Sequence, residues 1–163
     1  MFTQQRAVEL WESNDLISLG READALRRRL HPDGIVTYTS GPNEVTEIAF
    51  PGDATIELRL DILSRFRERD LMVARPIVDP SATGMEYVKT VALTRLCLDH
   101  VPHLQATWNL FGLKIAQVAL RFGADDLGAV DGTATEGELR RLIRDAGFIP
   151  KHRDALFRSY SLA

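Results

Sequence analysis

Two periods of apolar positions take turns along this chain. Val45, Ile48 and Phe50 enclose Thr46 and Glu47 in a short strand pattern that Pro51-Gly52 ends. Ile56, Leu60, Leu63 and Phe66 then recur at three- and four-residue steps, a helix for which Asp53 is the expected cap. Leu71 to Val78 is a largely apolar strand bounded by Pro80. Thr83-Gly84-Met85-Glu86 reads as a capping box, and the helix it opens carries Val88, Val91, Ala92 and Leu96 before Pro102 closes it. Leu104, Ala106 and Trp108 alternate with Gln105 and Thr107, a third strand. After the Gly112 break, Leu113, Ile115, Ala116, Val118, Ala119 and Phe122 return to helical spacing, and Gly123 stops that helix before a short fourth strand. A second capping box, Thr135 with Glu138, opens a last helix whose Leu139, Leu142, Ile143 and Ala146 share a face up to Gly147.

Strand and helix alternate in this way from Val45 to the last helix, so the strands should be parallel with right-handed connections. Ahead of them, residues 3–30 form two helical pieces that meet at Ser13-Asn14-Asp15. Asp15 caps the second, in which Leu16, Leu19, Ala23, Leu26 and Leu30 line one face and Arg27, Arg28 and Arg29 fall partly opposite.

With 163 residues, 45% of them apolar and 26% charged, the chain has the size and composition of one globular domain. A net charge of −3, with basic residues spread over several segments, argues against nucleic acid as a partner. No apolar run approaches the roughly 20 residues that cross a bilayer, and the N-terminus lacks a signal-peptide profile; a cytoplasmic, membrane-free protein is expected. The single Cys97 excludes an internal disulfide and fits a reducing compartment.

The stretch LQATWNLFGLKIAQVALRFGADDLG (104–128), with EYVKTVALTRLCLDHVPH before it and ELRRLIRDAGFIPKHRDALFR after it, resembles the C-terminal part of the radical-SAM enzymes of the futalosine route to menaquinone. Dehypoxanthine futalosine cyclase and aminofutalosine synthase typify that family, with the deazaflavin synthases beyond them. DLISLGREADALRRRLHPDGIVTY (15–38) is similar to the family's start, where a helical lead-in and an extended strand precede the cluster-binding cysteine motif. Resemblance thus covers residues 12–38 and about 70–158. After Tyr38 the family continues into a Cys-x-x-x-Cys-x-x-Cys loop and most of a barrel; this chain continues TSGPNEVTEIAFPGD instead. The resemblance implies an α/β fold, a partial (half) (β/α)8-type barrel of about four parallel strands behind an N-terminal helical lead-in. The expected layout is one domain over 1–163, with lead-in and strand at 1–40 and β/α units at 41–163. Four strands cannot close a barrel that takes about eight, so either a homodimer or the N-terminal helices should cover the exposed inner face.

Gly123-Ala124-Asp125-Asp126-Leu127-Gly128 matches the family's short signature at the end of the barrel, which would put Asp125 and Asp126 beside a polar ligand; adjacent aspartates after a helix stop also suit a turn. Thr107, Trp108 and Asn109 end a strand toward the barrel mouth, where such barrels gather functional residues. Arg75, inside LMVARPIV, could hold a carboxylate or phosphate through its planar fork, or sit at a sheet edge with its head in water. Trp108 suits the core as well as a ligand platform. These six residues are the ligand-binding candidates. His100 and His103 are separated by the helix-breaking Pro102, which keeps them off one helical face, and His31 and His152 read as surface residues, so no metal and no cofactor is expected.

Three functions follow. The first is a non-catalytic compact relative that binds a nucleoside-like or aromatic molecule, or pairs with itself or a full-length relative. The second is a cluster-free enzyme that uses Asp125 or Asp126 as acid/base with a raised pKa. The third is a barrel fragment with no specific ligand.

Overall fold

A computed structural model describes residues 2–157, so Arg158, at the end of the third matching stretch, lies outside it. The elements run α1 (Gln4–Glu12), α2 (Leu16–Leu30), β1 (Ile35–Thr39), β2 (Thr46–Phe50), α3 (Ile56–Ser64), β3 (Val73–Val78), α4 (Gly84–Cys97), β4 (His103–Leu104), α5 (Leu113–Leu120), β5 (Asp126–Ala129), α6 (Glu136–Asp145) and β6 (Ile149–His152). Two three-stranded sheets form, ordered β2-β3-β4 and β5-β1-β6, and every pair is parallel. An isolated parallel bridge between Gln105 and Asp126 links β4's continuation to β5. The strands therefore follow one another as β2-β3-β4-β5-β1-β6.

That makes six strands among the described residues, where the sequence suggested about four behind a lead-in. The lead-in strand β1 is an integral member, between β5 and β6. β6 was concealed by Pro150, which suits an edge: Ile149 and Arg153 donate toward β1, so the missing donor of Pro150 falls on the unpaired side.

Caps begin most helices as the sequence indicates. Asp15 Oδ1 accepts from Ser18 N at 3.0 Å, and Thr135 with Glu138 closes the reciprocal box on α6. Two details differ. Thr55, not Asp53, caps α3, because Ile56 is the first helical residue. Thr83 caps α4, but the Glu86 carboxylate turns outward to accept from Arg59 Nη2 at 3.4 Å. α4 is the central helix, buried on nearly every side from Tyr87 to Cys97 by β3, α2, α3 and α5.

The N-terminal pair does not lie over the inner face of the strands. α2 packs on α4 through Leu19, Ala23 and Leu26 against Ala92 and Leu96. Its later residues reach the entries to β4, β5 and β6: Ala23 abuts Gly123, Arg27 stacks on the Phe148 ring at 4.4 Å, and His31 contacts Pro102. The inner face is filled from elsewhere. Only Ser40 to Val45 join β1 to β2, although β5, β4 and β3 stand between those strands. Six residues cannot go round that path on the outside, since they reach at most about 25 Å. They cross in front of the inner face, and Asn43 bonds there to Gln105 beyond β4 and to Arg153 beyond β6.

Candidate ligand-binding site

Consecutive residues of a strand point to opposite faces, so the neighbouring Asp125 and Asp126 enter two separate environments. Asp126 faces inward and is fully buried. Arg153 grips it with a fork, Nε to Oδ1 and Nη2 to Oδ2 both at 2.8 Å. Thr37 Oγ1 at 2.5 Å, Gln105 Nε2 at 2.7 Å and the Gly128 amide at 2.9 Å complete its shell. Gln105 also exchanges bonds with Asn43 in both directions and accepts from Arg75 Nη1 at 3.1 Å. Side chains from β3, β4's continuation, β5, β1 and β6 thus converge on a single polar layer.

Asp125 faces the other way. Arg95 of α4 donates from Nη2 to Oδ1 at 2.7 Å, and the Leu104 amide reaches the same oxygen at 2.7 Å. The other oxygen lies 2.6 Å from His103 Nδ1 and 3.3 Å from His31 Nε2. Burial alone would raise the Asp125 carboxyl, but the His103 hydrogen bond and the charges of Arg95, His103 and His31 outweigh it and hold the group below the ordinary carboxylate value. A general base with a raised pKa needs the opposite balance.

The other four candidates come together. Arg75, Thr107, Trp108 and Asn109 line one cleft of about 150 Å³ with Asn43, Gln105 and Asp131. Pro76 opens it. Along β3, even-numbered residues bond toward β4, as Ala74 O does to Gln105 N, so Pro76 has no donor to offer the chain beyond Gln105. Thr107, whose amide is the next on that side, bonds to Tyr87 Oη instead, and the segment to Asn109 turns away; this is why the expected strand 104–108 pairs only at its start. Arg75 spans the cleft wall, paired with Glu47 and Gln105, and its Nε is buried with no partner among the described residues. Tyr87 lies beneath and accepts the Thr107 amide at 2.9 Å; burial pushes its phenol up to about 12, though the Thr107 bond and Arg75 pull the other way. Trp108 is 7% exposed, packs into the core and donates from Nε1 to Thr133 at 3.2 Å, so it is a wall more than a platform. Asn109 is exposed at the rim.

Sequence reasoning passed over Arg95, Gln105, Arg153 and Asn43. A signal existed for Arg95, a cation within the apolar run VALTRLCL, where a buried partner was the physical requirement. It also placed His31 and His103 apart, whereas their rings stack with centroids 4.9 Å apart, each about four-fifths buried.

Residues 61–162 match the family described as the CofH/MqnC C-terminal region. Aminodeoxyfutalosine synthase of Streptomyces coelicolor is 42% identical over 91 residues, which are 47% of this chain and 24% of that enzyme. A 5-amino-6-(D-ribitylamino)uracil--L-tyrosine 4-hydroxyphenyl transferase of Methanothermobacter thermautotrophicus is 39% identical over 94 residues, covering 48% of this chain and 26% of that protein. Cyclic dehypoxanthine futalosine synthase of Streptomyces coelicolor is 36% identical over 84 residues, 44% of this chain and 21% of its own. The chain spans about a quarter of the length of these curated relatives. The match takes in β3, α4, β4, α5, β5, α6 and β6, and so both aspartates and Arg75, Thr107, Trp108 and Asn109 of the cleft: the chain belongs to the CofH/MqnC C-terminal family.

Proposed function

We propose that this chain is a non-catalytic member of its family, a partial (β/α)8-type barrel whose cleft at Arg75, Thr107 and Asn109 binds one small ring-bearing molecule with an anionic or polar substituent. The observation that carries this reading is the filled interior: Asn43, Gln105, Asp126, Arg153 and Thr37 satisfy one another where a barrel would hold its reactants. The cluster implied by the radical-SAM resemblance does not fit the residues present. It requires three thiolates, whereas the chain has one cysteine, Cys97, buried on α4. The segment after β1 is Ser40-Gly41-Pro42-Asn43. Asp125 and Asp126 are committed to Arg95 and Arg153, which speaks against the cluster-free acid/base alternative.

Beside this filled interior the polar cleft stays open. Its 150 Å³ suits a single ring rather than a whole nucleoside, with the Arg75 guanidinium and the Thr107 hydroxyl as anchors. Fragment titration followed by amide NMR tests this. Aromatic carboxylates should shift Thr107, Trp108 and Asn109 in the wild type and leave Arg75→Met unmoved; hits that ignore Arg75→Met, or no hits, refute it.

A second reading, pairing of two copies, is favoured by the two unpaired edges. Among the described residues β2 and β6 each have one partner, and Ile149 on β6 is 58% exposed. Native mass spectrometry of the purified protein reports subunit number, and a monomer at micromolar concentration removes this reading.

A further inference from the structure

At the opposite ends of the strands from the cleft, four donor atoms face one another. His31, the C-cap residue of α2, presents Nε2; His103, the first residue of β4, presents Nδ1; Asp125, just before β5, presents Oδ2; and Pro102 presents its carbonyl oxygen. His103 Nδ1 lies 2.6 Å from Asp125 Oδ2, while His31 Nε2 lies 2.6 Å from Pro102 O and 3.3 Å from Asp125 Oδ2. The ligating atoms of the two histidines and the aspartate all fall within 4.8 Å of one another.

Hydrogen bonding alone serves this arrangement poorly. His31 Nε2 faces two oxygens and has at most one proton to share between them. Donors about 2.0–2.2 Å from a tetrahedral cation stand about 3.3–3.6 Å apart, close to the 3.3 Å between His31 Nε2 and Asp125 Oδ2, and the two 2.6 Å pairs would open by under about 1 Å to admit it. Arg95 strengthens the case as a positioning residue. It holds Asp125 by Oδ1, which leaves Oδ2 aimed at the imidazoles, and its other donors reach the carbonyls of Gly123 and Val101 and, at 3.4 Å, of Pro102. The histidine side chains are 18% and 19% exposed, enough for an ion to enter from solvent.

We propose that His31, His103 and Asp125, with the Pro102 carbonyl, form a binding site for a late first-row divalent cation, zinc being the probe of choice for an N₂O₂ donor set. The three side chains come from the end of α2, the start of β4 and the approach to β5, so the ion fastens the N-terminal helices to the sheet. This site is separate from the cleft and stands or falls without it.

Calorimetric titration of the intact chain with zinc, after dialysis against chelator, tests the proposal. One equivalent should bind, the melting temperature should rise with zinc, and the cobalt-substituted protein should show visible absorption from imidazole ligation. His31→Ala and His103→Ala should each weaken zinc binding by at least about tenfold, with circular dichroism verifying that both variants fold. Absence of saturable binding, binding that survives both substitutions, or loss in only one of them overturns the site. Should either alanine variant fail to fold, His103→Gln, which retains a polar group toward Asp125, takes its place under the same criteria.

Discussion

Removing either half of the Asp126–Arg153 pair should cost several kcal/mol, and the two halves should not cost the same. Asp126 receives five hydrogen bonds, of which Arg153 supplies two. In Arg153→Met the carboxylate keeps Thr37, Gln105 and the Gly128 amide, so the loss falls near the low end of the range for breaking a buried pair, about 3 kcal/mol. In Asp126→Asn the guanidinium keeps one amide oxygen in place of the carboxylate, Asn43 Oδ1 at 3.0 Å, the Asp154 carbonyl at 3.1 Å and the Phe157 ring face at 3.9 Å, but loses the negative charge that balances it. That places the second variant nearer about 5 kcal/mol. The double variant should cost little more than either single one, a coupling of at least about 2 kcal/mol. Urea unfolding followed by far-ultraviolet circular dichroism measures all three. Single losses under about 1 kcal/mol, or additive ones, would show that the interior is not a mutually satisfied network, and the reading of Asp126 as structural would fail with it.

Three further outcomes are expected. Tyr87 is raised to about 12 in the fold by burial, against about 10 when unfolded, so the folded state holds the phenol proton more tightly. Its contribution is therefore complete below pH 10 and lost between about 10 and 12, roughly 3 kcal/mol that Tyr87→Phe should make insensitive to pH in that window; unchanged alkaline unfolding curves for wild type and variant would contradict this. Burial raises Cys97 to about 11, with Arg67 opposing, so iodoacetamide should label it slowly at neutral pH in the folded protein and rapidly in urea; equal rates refute the placement. Gly123→Ala should destabilise by about 1–3 kcal/mol, because φ is +107° and the new Cβ would lie 2.9 Å from Arg95 Cβ and Cγ, a side chain fixed by its own bonds; a change below about 0.5 kcal/mol in thermal unfolding counts against it.

What could be read from the chain was whatever rests on near neighbours. The Thr135–Glu138 box, the Asp15 cap and the glycine stop at Gly123 each involve contacts within a few residues, and each stands where the spacing indicates. The cleft was partly legible too, since Thr107, Trp108 and Asn109 adjoin in sequence and Arg75 was conspicuous in an apolar run. Asp125 and Asp126 were visible as a motif but not in their roles. Their partners lie far along the chain, at Arg95 and at Arg153, and no local pattern tells which face of a strand each will take. His31 and His103 were illegible as a pair for the same reason: 72 positions apart, they are joined only by the packing of α2 across the entries to β4 and β5.

The path from β1 to β2 explains why the interior became a network. Parallel strands far apart in the order normally need a long outside crossover, and Ser40 to Val45 are too few for one. Taken across the inner face, that segment brings a backbone and an amide side chain into a space lined by charged groups. Burying Arg153 and Asp126 there without partners would be prohibitive. Asn43, with an acceptor for Arg153 and Gln105 and a donor for Gln105, meets that demand from a position that no barrel strand occupies. The short connection and the filled interior are thus one feature. Within the layer of strands, this six-residue link leaves open space where the strands splay apart, which is where Pro76 releases the segment from Thr107 to Asn109.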